Sequence, residues 1–127
     1  KMLNPKTNNQ RDQLKYRAYR FSLDVIGFSG SVKKDFVVQI ILSQLIRCVT
    51  SIGANVIEAQ ASSSKRDFAN FFSIALKSAN ETKYWLCLLR DSGKADREVV
   101  SVLLKEADEI SKILGASLLT MRGKRRF

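Results

Sequence analysis

The chain has 127 residues, with 22 basic and 12 acidic side chains, no histidine, one proline, six glycines and two cysteines. That length makes one domain able to bury a core, and so little proline and glycine argues against a fold of many short strands. The missing histidine removes the usual acid–base group of enzymes working near neutral pH, while a net charge of +10 points to a polyanionic partner.

The charge is uneven. Residues 1–20 hold six basic residues against Asp12, residues 122–127 hold four basic residues and no acid, and residues 21–121 hold 12 basic and 11 acidic residues. The body is close to neutral and both ends are basic. The opening residues KMLNPKTNNQRDQ lack the apolar stretch of a signal peptide. No uninterrupted apolar run approaches the ~20 residues of a membrane span. Cys48 and Cys87 lack metal-ligand spacing and read as reduced core thiols. The expectation is a cytoplasmic chain with no membrane contact, no metal and no cofactor.

A basic tail is expected over residues 1–12, a helical body over 13–121 and a second basic tail over 122–127. The first helix is predicted from Gln13 to Phe28, because Leu14, Ala18, Phe21, Val25 and Phe28 fall on one face. Gly27, Gly30 and Ser31 are expected to end it. The second helix is predicted from Asp35 to Ala59, with a main stripe of Val38, Ile41, Leu45, Cys48, Ile52, Val56 and Ala59. A second stripe, Leu42, Ile46, Val49, Gly53 and Ile57, lies beside it. This helix either lies very deep or meets another subunit. Ser64, with Asp67 three residues on, opens a third helix to Arg90. Its apolar side holds Phe68, Phe71, Phe72, Ala75, Ala79, Leu86 and Leu89, and Gly93 suits a left-handed cap. The fourth helix is predicted from Ala95 to Met121, with Val99, Leu103, Ala107, Ile110, Leu114, Leu118 and Met121 as its stripe.

Four amphipathic helices with short links predict an all-α, antiparallel up-down-up-down four-helix bundle. In that topology both basic termini emerge at one end. The candidate nucleic-acid-binding residues are therefore Lys6, Arg11, Lys15, Arg17, Arg20, Arg122, Lys124, Arg125 and Arg126. The segment YRAYRF adds Tyr16 and Tyr19 among the cations, which suits base stacking as well as simple flanking of the core.

Polar residues interrupt the second and third helices: Arg47, Ser51, Asn55, Glu58, Ser78 and Glu81. If the serine turn folds the third helix back, Arg47 comes level with Ser78 and within reach of Glu81. The expected result is a semi-buried polar seam with Arg47 paired to Glu81, setting helix register. Loss of one charge from such a pair, if truly buried, costs ~3–5 kcal/mol. Glu58 falls near Lys65 and Arg66, too far from Glu81 to form a catalytic carboxylate pair. No glycine loop followed by a lysine–serine pair is present to cradle phosphate, and no Glu-x-x-His motif marks a di-iron bundle.

RCVTSIGANVIEA followed by DFANFFSIALKSANETKYWL resembles the four-helix-bundle family named for the intervening sequences of bacterial 23S ribosomal RNA genes. The likeness rests on Arg47, Ser51, Ile52, Asn55, Glu58, Phe68, Phe71, Ala75, Ser78 and Glu81, and it extends from about Leu14 to Met121. Gly53 stands where that family usually has proline, and Ala59 where it has glycine. The resemblance implies an up-down bundle that assembles as a ring, often a homopentamer, with no established enzymatic activity. A related branch, the accessory variability determinants of diversity-generating retroelements, comprises basic pentamers that bind nucleic acid and a reverse transcriptase. The expected function is non-enzymatic binding of RNA or DNA through the basic ends. The competing expectation is a protein-interaction adaptor whose basic tails are incidental.

Overall fold

A computed structural model of the chain describes residues 10–125, with side chains from residue 13 to residue 123. Four helices make up almost all of it: α1 (Gln10–Ser31), α2 (Phe36–Ala61), α3 (Lys65–Asp91) and α4 (Arg97–Arg125). No strand occurs among the described residues, so the all-α, four-helix expectation holds.

The helix ends follow from local chemistry. Asp35 caps α2 by accepting the Val38 N–H at 2.8 Å, and Ser64 caps α3 by accepting the Asp67 N–H at 3.0 Å. Asp96 accepts the N–H groups of Glu98 and Val99 at 2.9 and 3.0 Å ahead of α4. Each cap satisfies donors that the first turn leaves open. After α3, Gly93 takes φ 73°, and the N–H groups of Lys94 and Gly93 close onto the carbonyls of Leu89 and Arg90 at 3.1 and 3.2 Å. This double closure needs a left-handed residue, which glycine supplies without strain.

Glycines do not stop the helices, either at Gly27 and Gly30, where an end was expected, or at Gly123, just past the expected end at Met121. α1 continues through Gly27 and Gly30 to Ser31, and α4 continues through Gly123 to Arg125. A helical glycine costs only about 1 kcal/mol, which packing of the opposite face offsets. α1 ends instead where Lys34 Nζ donates to the carbonyls of Ser29 and Val32. Residues 10–12 and 122–125, expected as tails, are helical.

α1 packs on α2 and α4, and α3 packs on α2 and α4; across the diagonals no backbones approach one another among the described residues. The core lies between the four. Phe21 and Val25 from α1, Leu45 and Ile52 from α2, Phe72 and Leu86 from α3, and Ile110 and Leu114 from α4 are all essentially excluded from solvent. Each such side chain contributes about 1.5–3 kcal/mol of burial. Small residues set the closest approaches. A Cβ on Gly53 would stand 3.7 Å from the Ala18 Cβ, so α2 and α1 meet there nearly backbone to backbone. Ala75 and Ala79 of α3 are fully buried.

The second stripe of α2 is not spare surface. Leu42, Val49 and Gly53 are buried, with Ile46 and Ile57 half-buried, and Ser22 of α1 donates to the Val49 carbonyl at 3.2 Å. α2 lies deep, flanked by α1 and α3. On length and hydropathy alone it passes for a membrane span; as an element between two packed neighbours it reads as a core helix. In α4 the buried stripe starts at Val100, while Val99 is 46% exposed.

Candidate nucleic-acid interface and polar seam

The seam forms where α2 and α3 face each other. Ser78 Oγ donates to Ser51 Oγ at 2.9 Å. Asn55 Nδ2 donates to the Ser51 carbonyl at 2.8 Å and is 3.0 Å from its Oγ. One turn along, Arg47 Nη2 donates to Glu81 Oε2, and Arg47 Nε donates to Gln44 at 3.0 Å. Going four residues back on α2 thus goes three residues forward on α3, which pins one register. Glu58 is exposed and stands outside this bonded set.

Two partners of Glu81 were not foreseen. Trp85 Nε1 donates to it at 3.0 Å; the signal was the four-residue spacing of Glu81 and Trp85 on one helix. The Cys48 thiol also bonds to Glu81, and with Trp85 and Arg47 it holds the carboxylate below its usual range. In return, burial and then the Glu81 carboxylate push the Cys48 thiol up to about 12. A thiol so far from ionisation is a poor nucleophile.

The Arg47 and Glu81 side chains remain 57% and 40% exposed. Water screens them, so the large one-charge penalty of a buried pair does not apply. The seam's value is positional.

The cationic candidates divide. Arg17 is committed within the fold: its Nε and Nη2 donate to the two carboxylate oxygens of Glu106 at 2.7 and 2.8 Å. That hydrogen bonding raises the Arg17 pKa further. Arg17 thus ties α1 to α4 and is drawn away from phosphate. Arg20 is exposed, with its Nη1 3.4 Å from the Tyr16 hydroxyl. Lys15 is half-buried and Arg122 is exposed. The side chains of Lys6, Arg11, Lys124, Arg125 and Arg126 lie outside the described residues.

Between α1 and α4 runs an open groove of about 510 Å³, lined by Arg17, Arg20, Lys105, Asp24, Glu106 and Glu109 with Phe21 and Val102. Three cations face three carboxylates there, so the groove is close to neutral and poorly suited to a polyphosphate. Farther along the bundle, Lys83 reaches Asp108 and Ser111 at 3.4 and 3.0 Å, and Lys94 reaches Asp35 at 2.9 Å. No group of three metal-ligating side chains gathers among the described residues.

Residues 12–116 match the family described as 23S rRNA-intervening sequence protein. The fold is similar to the crystal structure of a protein of unknown function from the S23 ribosomal protein family of Bacteroides thetaiotaomicron VPI-5482. The two are 35% identical with a TM-score of 0.76, over 83% of this chain and 97% of that one. No curated protein matches the sequence.

Proposed function

Because the chain belongs to the 23S rRNA-intervening sequence protein family, we propose that it is a non-enzymatic, oligomeric helical bundle that binds RNA or DNA through its terminal end. In this reading the helices alternate up and down. Links of four, three and five residues leave no room for a return crossing. The Lys94–Asp35 bridge joins the α1–α2 link to the α3–α4 link at one end. Both chain ends then leave from the other. The strongly basic sequences at those two ends, brought to one pole, are the observation that carries the proposal. A polyanion neutralised there releases counterions, which supplies affinity without base preference.

Oligomerisation extends the same reading. Tyr19, Leu23 and Ile26 line the outer side of α1 at 45%, 51% and 48% exposure, and Phe36 at the start of α2 is 77% exposed. A second copy of the chain would cover such surface, and a homopentameric ring would repeat the cationic pole so that weak phosphate contacts act together. An accessory role beside a reverse transcriptase, in the cytoplasm with both thiols reduced, belongs to this proposal. The competing adaptor reading draws on Tyr84, which is 58% exposed and set edge-on to Trp85 at 5.0 Å beside Arg47, a composition common at protein interfaces.

Fluorescence anisotropy with a labelled 20-nucleotide RNA and a 20-base-pair DNA duplex separates the two. Neutralising Lys124, Arg125 and Arg126 to Gln is expected to weaken binding and flatten its salt dependence. Binding unchanged by salt and by that substitution favours the adaptor.

A further inference from the structure

We propose that the α2–α3 turn forms a third arm of the phosphate-contacting surface, with Lys65 and Arg66 engaging the same nucleic-acid backbone as Arg122 and the basic chain ends. This rests on the nucleic-acid reading above and adds residues that the sequence pattern alone assigned to a helix start.

Position comes first. From the Lys83–Ser111 contact between α3 and α4, Arg66 lies 17 residues toward the terminal end along α3 and Arg122 lies 11 residues toward it along α4. At ~1.5 Å per residue they differ by about 9 Å in height. Adjacent helix axes are about 8–10 Å apart, so the two sites are roughly 13 Å from one another. That span is about four base-pair rises of ~3.4 Å measured along a duplex axis. Long flexible cations at both ends of it suit one backbone.

Charge pairing comes second. Arg17, Lys83, Arg90, Lys94 and Lys112 each meet a carboxylate. Lys65, Arg66 and Arg122 are exposed and meet none among the described residues. Lys33, in the α1–α2 link at the opposite end, is exposed and also meets none, and the same holds for Arg20, Lys77 and Lys105 along the body. Arg20 and Lys105 share their groove with Asp24, Glu106 and Glu109, whereas Lys65, Arg66 and Arg122 lie at the terminal end, with Asp67 as the acid in the first turn of α3.

Helix electrostatics come third. Lys65 and Arg66 are the first two residues of α3, where the helix dipole favours acids and disfavours cations. α2 and α4 open behind the carboxylates of Asp35 and Asp96, whereas α3 opens behind the neutral Ser64, with Asp67 as its first-turn acid. Asp67 offsets one of these two cations, and a bound phosphate would offset the other.

The test compares wild type, K65Q/R66Q and the control K33Q/K77Q, whose lysines are exposed and distant from the turn. Binding to the same RNA and duplex probes is followed across salt concentrations, with thermal melting alongside. For K65Q/R66Q the log–log salt slope on duplex is expected to flatten by about 1.8, two phosphates at ~0.9 each, with affinity falling about tenfold at low salt. Its melting temperature is expected to stay level or rise, a pairing that misfolding does not produce. The control is expected to bind like wild type. If wild type binds and K65Q/R66Q binds equally well with the same slope, the turn is not a contact while the broader reading stands. Equal losses in the control, or a lower melting temperature with weaker binding, also overturn the assignment. If wild type binds neither probe at low salt, both proposals fall.

Discussion

Replacing Gly53 with alanine probes the closest helix contact in the molecule. Gly53 is buried within α2 and has ordinary helical backbone. Its absent Cβ would meet the Ala18 Cβ at 3.7 Å, the Ala18 carbonyl carbon at 3.8 Å and the Tyr19 nitrogen at 3.9 Å. These are van der Waals distances, so alanine fits without moving α1. Removing a helical glycine then stabilises the fold by about 0.8–1 kcal/mol. For a chain of this size that raises the melting temperature by about 4 °C. G27A supplies the reference, because nothing lies within 4 Å of a Cβ at Gly27. It gains the same helix propensity without the contact. G53L is expected to lose about 1–3 kcal/mol by overpacking, since its branch points into the α1 backbone. Circular-dichroism melts at one fixed protein concentration read all three. A lower melting temperature for G53A together with a higher one for G27A would mean that α1 and α2 pack more tightly than these distances allow.

F72A is expected to destabilise by about 3–5 kcal/mol in urea titration, because Phe72 is 2% exposed and its ring lies 4.5 Å from that of Phe68. Acid is expected to weaken the fold. The Val38 N–H and Lys94 hold Asp35 below its ordinary 3.8, and Lys112 and Lys83 do the same for Asp108. Their folded-state values are depressed, so the stabilisation is complete above about pH 4 and lost as pH falls through the folded values. The urea midpoint should be flat from pH 7 to pH 5 and then drop, more shallowly in D35N, which keeps the cap but not the charge. At the alkaline end the sign reverses. The Cys48 thiol rises from an ordinary 9.0 to about 12, so its contribution is whole below pH 9 and lost between pH 9 and 12. Alkylation at pH 8 should therefore spare Cys48 until the chain unfolds.

The sequence revealed whichever features repeat. The stripes of α1, α2 and α3 fell where periodicity put them, since a buried face must recur every three or four residues. At the start of α4 the stripe was misplaced by one, because Val99 and Val100 are chemically alike and only the frame set by Asp96 decides between them. Arg47, Ser51, Asn55, Ser78 and Glu81 were legible as a seam because a two-helix hairpin needs only counting. Their exposure was not legible, since it depends on where α1 and α4 sit. Arg17 illustrates the same limit. Its sequence neighbours are basic and aromatic, which read as a phosphate contact, whereas its partner Glu106 is 89 positions away. Lys65 and Arg66 carried no motif; their interest lies in unpaired charge at a helix start.

Hydrogen–deuterium exchange of the wild-type protein, with and without a saturating 20-nucleotide RNA, tests the proposed contact most directly. Slower exchange is expected in three separated segments, residues 10–16, 62–67 and 119–125, with residues 32–36 and 91–97 unchanged. Protection confined to the 32–36 and 91–97 links, or to residues 78–85 around the seam, would contradict binding at the pole where the chain begins and ends.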